Sequence, residues 1–172
     1  MKFRNYLATL CLLAFAGTIS AQNALPNVDV KTLDGATVNL SETYGVEKET
    51  ITILSFWATW CSPCKRELDA IMDFYPDWQE SYNVELVAIT IDTRRAISKV
   101  PSIVETKGWE YIILSGDEQA MRTAFNFASI PQTVIVDQSG QIVYTHNGYQ
   151  PGDEEVLDEV LAKLAAGESI EH

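Results

Sequence analysis

Metal-binding side chains are scarce in this chain of 172 residues, which holds three cysteines and two histidines. A structural zinc site takes four ligands, usually as two Cys or His pairs. His146 and His172 lie far apart, and Cys11, Cys61 and Cys64 supply no second pair, so the count argues against zinc. Positive charge is scarce too: 12 Lys and Arg stand against 24 Asp and Glu, a formal charge of −12. That balance disfavours nucleic acid and anionic membrane surfaces as partners, and solubility is its plainest meaning. Repeats, low-complexity blocks and linker-like stretches are missing. Apolar residues make up 47% and charged ones 21%, a composition that supports a core and one domain.

No apolar run reaches the length of a membrane span. A shorter one opens the chain. Lys2 and Arg4 precede the apolar stretch Leu7 to Ala16, and Ile19-Ser20-Ala21 ends in small residues. This is the pattern of a secretory signal. It predicts a signal peptide over 1–21 cleaved after Ala21, with Ser20 as the alternative, and a mature domain over 22–172 in the periplasm. Retention as an uncleaved membrane anchor is the other expectation. Cys11 sits inside the apolar run without a lipobox and leaves with the signal. Cleavage takes two of the 12 basic residues and none of the 24 acidic ones, moving the formal charge from −12 to −14. It leaves Cys61 and Cys64 as the only cysteines. An oxidising compartment is where structural disulfides accumulate; a mature chain with one pair there uses it as a tool.

That pair ends the stretch around which the chain is organised, Ile51-Thr52-Ile53-Leu54-Ser55-Phe56-Trp57-Ala58-Thr59-Trp60-Cys61-Ser62-Pro63-Cys64. Ile51 to Trp57 is β-branched and aromatic, as a buried strand is. Beyond Cys64, residues Leu68, Ile71, Met72 and Tyr75 recur at helical spacing, and proline suits a first helical turn. Cys61 therefore stands just before a helix N-terminus. Unpaired N–H groups and the helix dipole stabilise a thiolate there and lower its pKa. Cys64, one turn in, is close enough to close a disulfide and less exposed. The expected cycle is attack by Cys61 on a disulfide, a mixed disulfide, and release by Cys64. The plain alternative is a structural disulfide, but a loop of two residues constrains the unfolded chain very little.

The rest of the chain alternates strands and helices. Val28 to Leu33 and Ala36 to Leu40 alternate around Asp34-Gly35, a hairpin signal. Ser41 to Glu49 is a polar connection with room for a helical turn. Pro76 is expected to kink or end the first long helix. Val84 to Ile91 is a second buried strand, and Asp92 to Arg95, at a strand's C-terminal end where α/β proteins keep their sites, reads as a solvated loop, with a substrate contact as the alternative. A helix follows over about 98–107 with Gly108 as its stop, then a strand over 109–114. A short helix runs from Asp117 to Phe125 with Met121, Ala124 and Phe125 inward. Within Ala128 to Asp137, Pro131 opens an apolar strand, which suits a cis bond or an edge. Asp137 to Gly140 turns the chain into Gln141 to His146. The last helix covers Asp153 to Ala166, with Val156, Leu157, Val160, Leu161 and Leu164 inward, and a frayed tail ends the chain.

Phe56-Trp57-Ala58-Thr59-Trp60-Cys61-Ser62-Pro63-Cys64 resembles the active-site segment of thioredoxin-fold proteins. It is most similar to the secreted, TlpA/ResA-like branch of bacterial thiol–disulfide oxidoreductases, and the likeness covers nearly all of the mature chain. The resemblance implies an α/β thioredoxin-like fold: a central mixed sheet flanked by helices, with an added N-terminal β-hairpin. It implies a redox-active disulfide between Cys61 and Cys64, and a cis Ile130–Pro131 bond facing it. Ile130 and Pro131 would take an extended substrate chain as an added strand, with Trp60 shielding Cys61 on the docking surface and Trp57 in the core. Glu67 matches the active-site glutamate of that branch and would relay the Cys64 proton or raise the cysteine pKa; the plain reading is an exposed first-turn acid. Ser55 stands where cytoplasmic thioredoxin has a buried aspartate, and Asp69 where many relatives have proline. His146 reads as a sheet residue. The implied partners are protein thiols and disulfides and a membrane electron donor, with no cofactor and no metal. Cytochrome c maturation and envelope redox homeostasis are the candidate pathways, in the reductase direction. The alternatives are an oxidase-direction or peroxidase-type relative and a non-catalytic binding module.

Overall fold

The computed structural model describes residues 23–170. The signal segment expected over 1–21 and the final histidine lie outside the described residues. A hairpin of β1 (Asp29–Thr32) and β2 (Thr37–Asn39) comes first, turning at Gly35 with φ of 96°. A five-residue helix α1 (Leu40–Tyr44) leads to β3 (Ile51–Trp57), the long helix α2 (Ser62–Tyr82) and β4 (Val84–Thr90). A 3-10 turn, Ile97–Lys99, precedes α3 (Val100–Lys107). Then follow β5 (Ile112–Ser115), α4 (Glu118–Phe125), β6 (Gln132–Val136), β7 (Ile142–Asn147) and α5 (Asp153–Ala165).

The strands form one sheet in the order β2-β1-β5-β4-β3-β6-β7. β3, β4 and β5 run parallel; the other neighbours are antiparallel. This is the thioredoxin-like arrangement with the added hairpin, as the resemblance implies. Every residue of β3 is buried, because helices cover both faces of the sheet. On the Ser55 face lie α2 and α5, which pack on each other. On the Phe56 face, α4 and the loop after it bring Phe125 and Phe127 against Phe56, with ring centroids 4.7 and 5.0 Å away. The wholly buried side chains include Ile53, Leu54, Leu68, Ile71, Leu86 and Ile89, each stabilising the fold by about 1.5–3 kcal/mol through burial.

Several expectations need correction. Pro76 does not end α2, which continues to Tyr82 and stops at Asn83 in the left-handed region, φ 54°. A proline removes the bond to the carbonyl four residues back; that carbonyl belongs to Met72, on the side of the helix exposed to water. Met72 is accordingly outside the buried stripe, which reads Cys64, Glu67, Leu68, Ile71, Tyr75, Trp78. Val156 is exposed, and α5 turns Leu157, Val160, Leu161 and Leu164 inward. Trp109 and Tyr111 lie before β5 rather than in it, both buried. In the tail, Ile170 packs against the core.

Candidate active site

The site begins where β3 stops. Thr59, in the connection to α2, is held on three sides. Its N–H and hydroxyl both donate to the Asp92 carboxylate, at 2.8 Å each, and its carbonyl accepts from Lys65 Nζ at 2.9 Å. The Thr90 hydroxyl also donates to Asp92, at 2.7 Å. Asp92, at the C-terminal end of β4, is therefore buried and engaged, contrary to the solvated loop expected there. Its three hydroxyl and amide donors compensate the burial of its charge.

Beyond this clamp, Trp60 is 62% exposed, and Cys61 occupies the N-cap of α2. The Cys61 sulfur accepts from the Cys64 N–H at 3.2 Å, with Pro63 in the first turn. The N-terminal position expected for the first cysteine is thus observed, together with an amide donor aimed at its sulfur. Cys61 and Cys64 are joined in a disulfide with their Cα atoms 5.4 Å apart. Cys64 is completely buried.

Ile130–Pro131 is cis, as expected, and opens β6 alongside β3. The Ile130 carbonyl oxygen lies 3.9 Å from the Cys61 sulfur. Neighbouring carbonyls are tied down: Asn147 Nδ2 donates to Ser129 O at 2.8 Å, and Arg122 donates to Ala128 O.

Glu67 is not an exposed first-turn acid. It is 2% exposed, one turn beyond Cys64 on the buried stripe of α2. Thr133 donates to Oε1 at 2.7 Å and Ser55 to Oε2 at 3.3 Å. Burial pushes the carboxyl up to about 7, against the opposing pull of these two hydroxyls and of His146; Asp153 pushes further upward. Ser55, read as the position of a missing acid, thus supports the acid supplied by α2. The sequence reading gives Thr133 no role; its signal is a polar residue within an apolar strand.

Trp57 is wholly buried, edge-on to Trp109 with centroids 5.1 Å apart. Asp69 receives Trp109 Nε1 at 3.0 Å and Lys107 Nζ at 2.6 Å, tying α2 to the end of α3. His146 lies in β7, 3.0 Å from Asp153. Among the described residues no group of three or more His, Cys, Asp or Glu is arranged to hold a metal ion.

Comparison with known proteins defines the class. The model of the AhpC/TSA family matches residues 21–145, and the chain belongs to that family, in its thioredoxin-like form. A thioredoxin-like protein from Porphyromonas gingivalis, solved in solution, is 37% identical, with a TM-score of 0.72; the match covers 86% of this chain and 95% of that one. The thioredoxin-like protein YneN of Bacillus subtilis is 29% identical over 123 residues, 72% of this chain and 69% of YneN. The thiol-disulfide oxidoreductase ResA of Bacillus thuringiensis is 27% identical over 139 residues, 81% of this chain and 75% of ResA.

Proposed function

We propose that the chain is a thiol–disulfide oxidoreductase that reduces protein disulfides outside the cytoplasm. The observation that carries this is the Cys61–Cys64 disulfide itself. It is closed at a strand-to-helix junction, with one sulfur at the helix N-cap beside the Ile130 carbonyl and the other fully buried. Relatives named as thiol-disulfide oxidoreductases support the class of activity.

In the reduced protein, the Cys61 thiolate attacks one sulfur of a substrate disulfide and expels the other as a thiolate. Trp60, Ile130 and Pro131 hold the substrate chain across Cys61. Glu67 then takes the proton from the Cys64 thiol, whose sulfur attacks Cys61. The second substrate thiolate leaves, and the closed disulfide of this structure results. Two electrons have passed to the substrate. Glu67 suits the step because a base with a pKa near neutrality accepts a thiol proton and returns it readily.

The reductase direction rests on the likeness of Trp60-Cys61-Ser62-Pro63-Cys64 to the TlpA/ResA-like branch. A mature domain over 22–172, exported to the periplasm or held there by an uncleaved N-terminus, would draw electrons from a membrane donor. It would serve cytochrome c maturation or envelope redox homeostasis. The test is the reduction potential of the pair together with insulin reduction. A potential near about −270 mV with turnover that Cys61→Ser abolishes supports the proposal. A value near about −120 mV would reverse the direction, and a reducible pair without turnover would favour a binding module.

A further inference from the structure

The chain is acidic as a whole, with a formal charge of −12, but the surface beside the disulfide is not. Lys65, Arg66, Arg94, Arg95 and Lys99 fall within residues 58–66 and 93–104, two stretches that contain no Asp or Glu. These stretches leave the ends of β3 and β4, and they are tied together there. The Thr59 N–H and hydroxyl both donate to Asp92 at 2.8 Å, and the Ile91 N–H donates to the Trp57 carbonyl at 2.9 Å. The second stretch turns at once. The Thr93 carbonyl accepts from the N–H groups of Ala96 and Ile97, at 2.9 and 3.0 Å. Arg94 and Arg95 are thus the central residues of a closed turn, and both are exposed. Lys65, Arg66, Arg94, Arg95 and Lys99 form no salt bridge among the described residues. The acids that line a cleft with Arg94 are engaged. Asp92 holds Thr59 and Thr90, Asp117 accepts from the Ala120 N–H at 2.9 Å, Glu118 pairs with Arg122, and Asp29 accepts from Asn39 Nδ2 at 2.7 Å.

The far side of the site has the opposite sign. In the sheet β3 lies between β4 and β6, with β7 beyond, and α5, which follows β7, opens with Asp153, Glu154 and Glu155. Acids suit that helix N-terminus, because the dipole favours negative charge there. α2 does the reverse: it has no acid in its first turn and places Lys65 and Arg66 among its opening residues. Lys65 Nζ is used on the Thr59 carbonyl, but Arg94, Arg95 and Lys99 have no such employment. We propose that Arg94 and Arg95, with Lys99 at the end of the following 3-10 turn, are a docking surface for an acidic segment of the substrate polypeptide. The preferred substrate then carries carboxylates on one side of its disulfide, the side that lies over the connection from β4 to α3. This rests on the reading of the chain as a thiol–disulfide oxidoreductase and names the substrate class of that same site. An arginine fork matches the geometry of a carboxylate. The turn is closed by its own backbone bonds before a substrate arrives, so docking orders little that is loose. A surface basic on one side of Cys61 and acidic on the other orients its partner as well as attracting it.

The experiment is single-turnover reduction of disulfide peptides by the full chain, reduced beforehand. The peptides share one disulfide and carry a run of Glu or a run of Lys on its N-terminal or its C-terminal side. At about 0.1 M salt the Debye length is about 10 Å, so distant acids of the chain are screened while a contact with the turn is not. There the Glu peptide should be reduced faster than its Lys counterpart by roughly fivefold or more when the run lies on one of the two sides. Near about 1 M salt the ratio should fall to within about twofold. Arg94→Glu combined with Arg95→Glu should invert it at the lower salt. A small uncharged aromatic disulfide should react equally with wild type and double variant, with amide spectra reporting the fold. A slower reaction there would assign the arginines to the chemistry at Cys61 and overturn the docking role. Glu and Lys rates agreeing within about twofold on both sides at the lower salt would overturn it as well, and so would a preference that persists in the double variant. A preference for Lys peptides also sinks it, since that is what the net charge of the chain produces by itself. If even the uncharged disulfide is not reduced, the exchange reading fails and takes the inference with it.

Discussion

Replacing Glu67 by Gln should change the pH dependence of stability in a direction opposite to that of most carboxylates. The folded value is pushed from 4.5 to about 7 by burial. Between those two values the folded protein holds a proton that the unfolded chain has released. Stability therefore falls as pH rises across this window: the contribution is complete below about 4.5 and gone above about 7. At about 1.4 kcal/mol per unit, the change is roughly 3 kcal/mol. Glutamine keeps the size and the hydrogen-bonding groups but never ionises. Near pH 4.5 the two proteins should be about equally stable; near pH 8.5 Glu67→Gln should be the more stable by roughly 3 kcal/mol. Urea denaturation of the oxidised proteins across this range measures it, with the disulfide intact so that the cysteines do not titrate. Other acids and histidines contribute alike to both proteins and cancel in the difference. Parallel curves would refute the reasoning, for they would mean that Glu67 ionises as easily folded as unfolded.

Cys64→Ser should accumulate a mixed disulfide between Cys61 and a protein substrate, seen by mass spectrometry without reductant; its absence would reverse the assigned order of the sulfurs. Trp60→Ala should lower kcat/KM for insulin by roughly tenfold. It should lower the rate with a small aromatic disulfide far less and leave stability within about 0.5 kcal/mol, since the side chain is mostly exposed. Asp92→Ala leaves the Thr59 N–H and the Thr59 and Thr90 hydroxyls without their acceptor and should cost about 2–3 kcal/mol in urea denaturation. An unchanged midpoint would mean that the clamp on the connection before Cys61 is immaterial.

Much of this fold is readable in the chain because local chemistry and tertiary role agree. Ile51 to Trp57 is apolar apart from Thr52 and Ser55 because both its faces are covered. Asp34-Gly35 turns where its residues allow, and Gly108 ends α3 with φ of 70°. The sulfurs sit where a strand pattern gives way to a helical one. The losses occur where a residue's role depends on distant partners. Cys64, Glu67, Leu68, Ile71, Tyr75 and Trp78 form one helical stripe, so periodicity alone puts Glu67 inside. A carboxylate in such a stripe still reads as exposed until its donors are known, and these come from positions 12 and 66 residues away. Asp92 is the same case: its acceptor role depends on Thr59, 33 residues earlier.

The place of the acid decides what the site can do. In the reading by resemblance, cytoplasmic thioredoxin keeps its buried aspartate where this chain has Ser55. Here a buried carboxylate, Glu67, lies on the helix that carries Cys64, and strands β3 and β6 each supply a hydroxyl that donates to it. Residues three apart on a helix are neighbours, so thiol and carboxyl share one poorly solvated space once the disulfide opens. Two negative charges there repel, and ionisation of one raises the pKa of the other. In the proposed cycle a helix-borne acid one turn from Cys64 acts on the second sulfur. The helix N-terminus already favours the thiolate at Cys61, where the Cys64 N–H meets its sulfur. In the proposed cycle the two sulfurs are thus served by separate groups, amides at a helix end for Cys61 and a carboxylate inside the helix for Cys64.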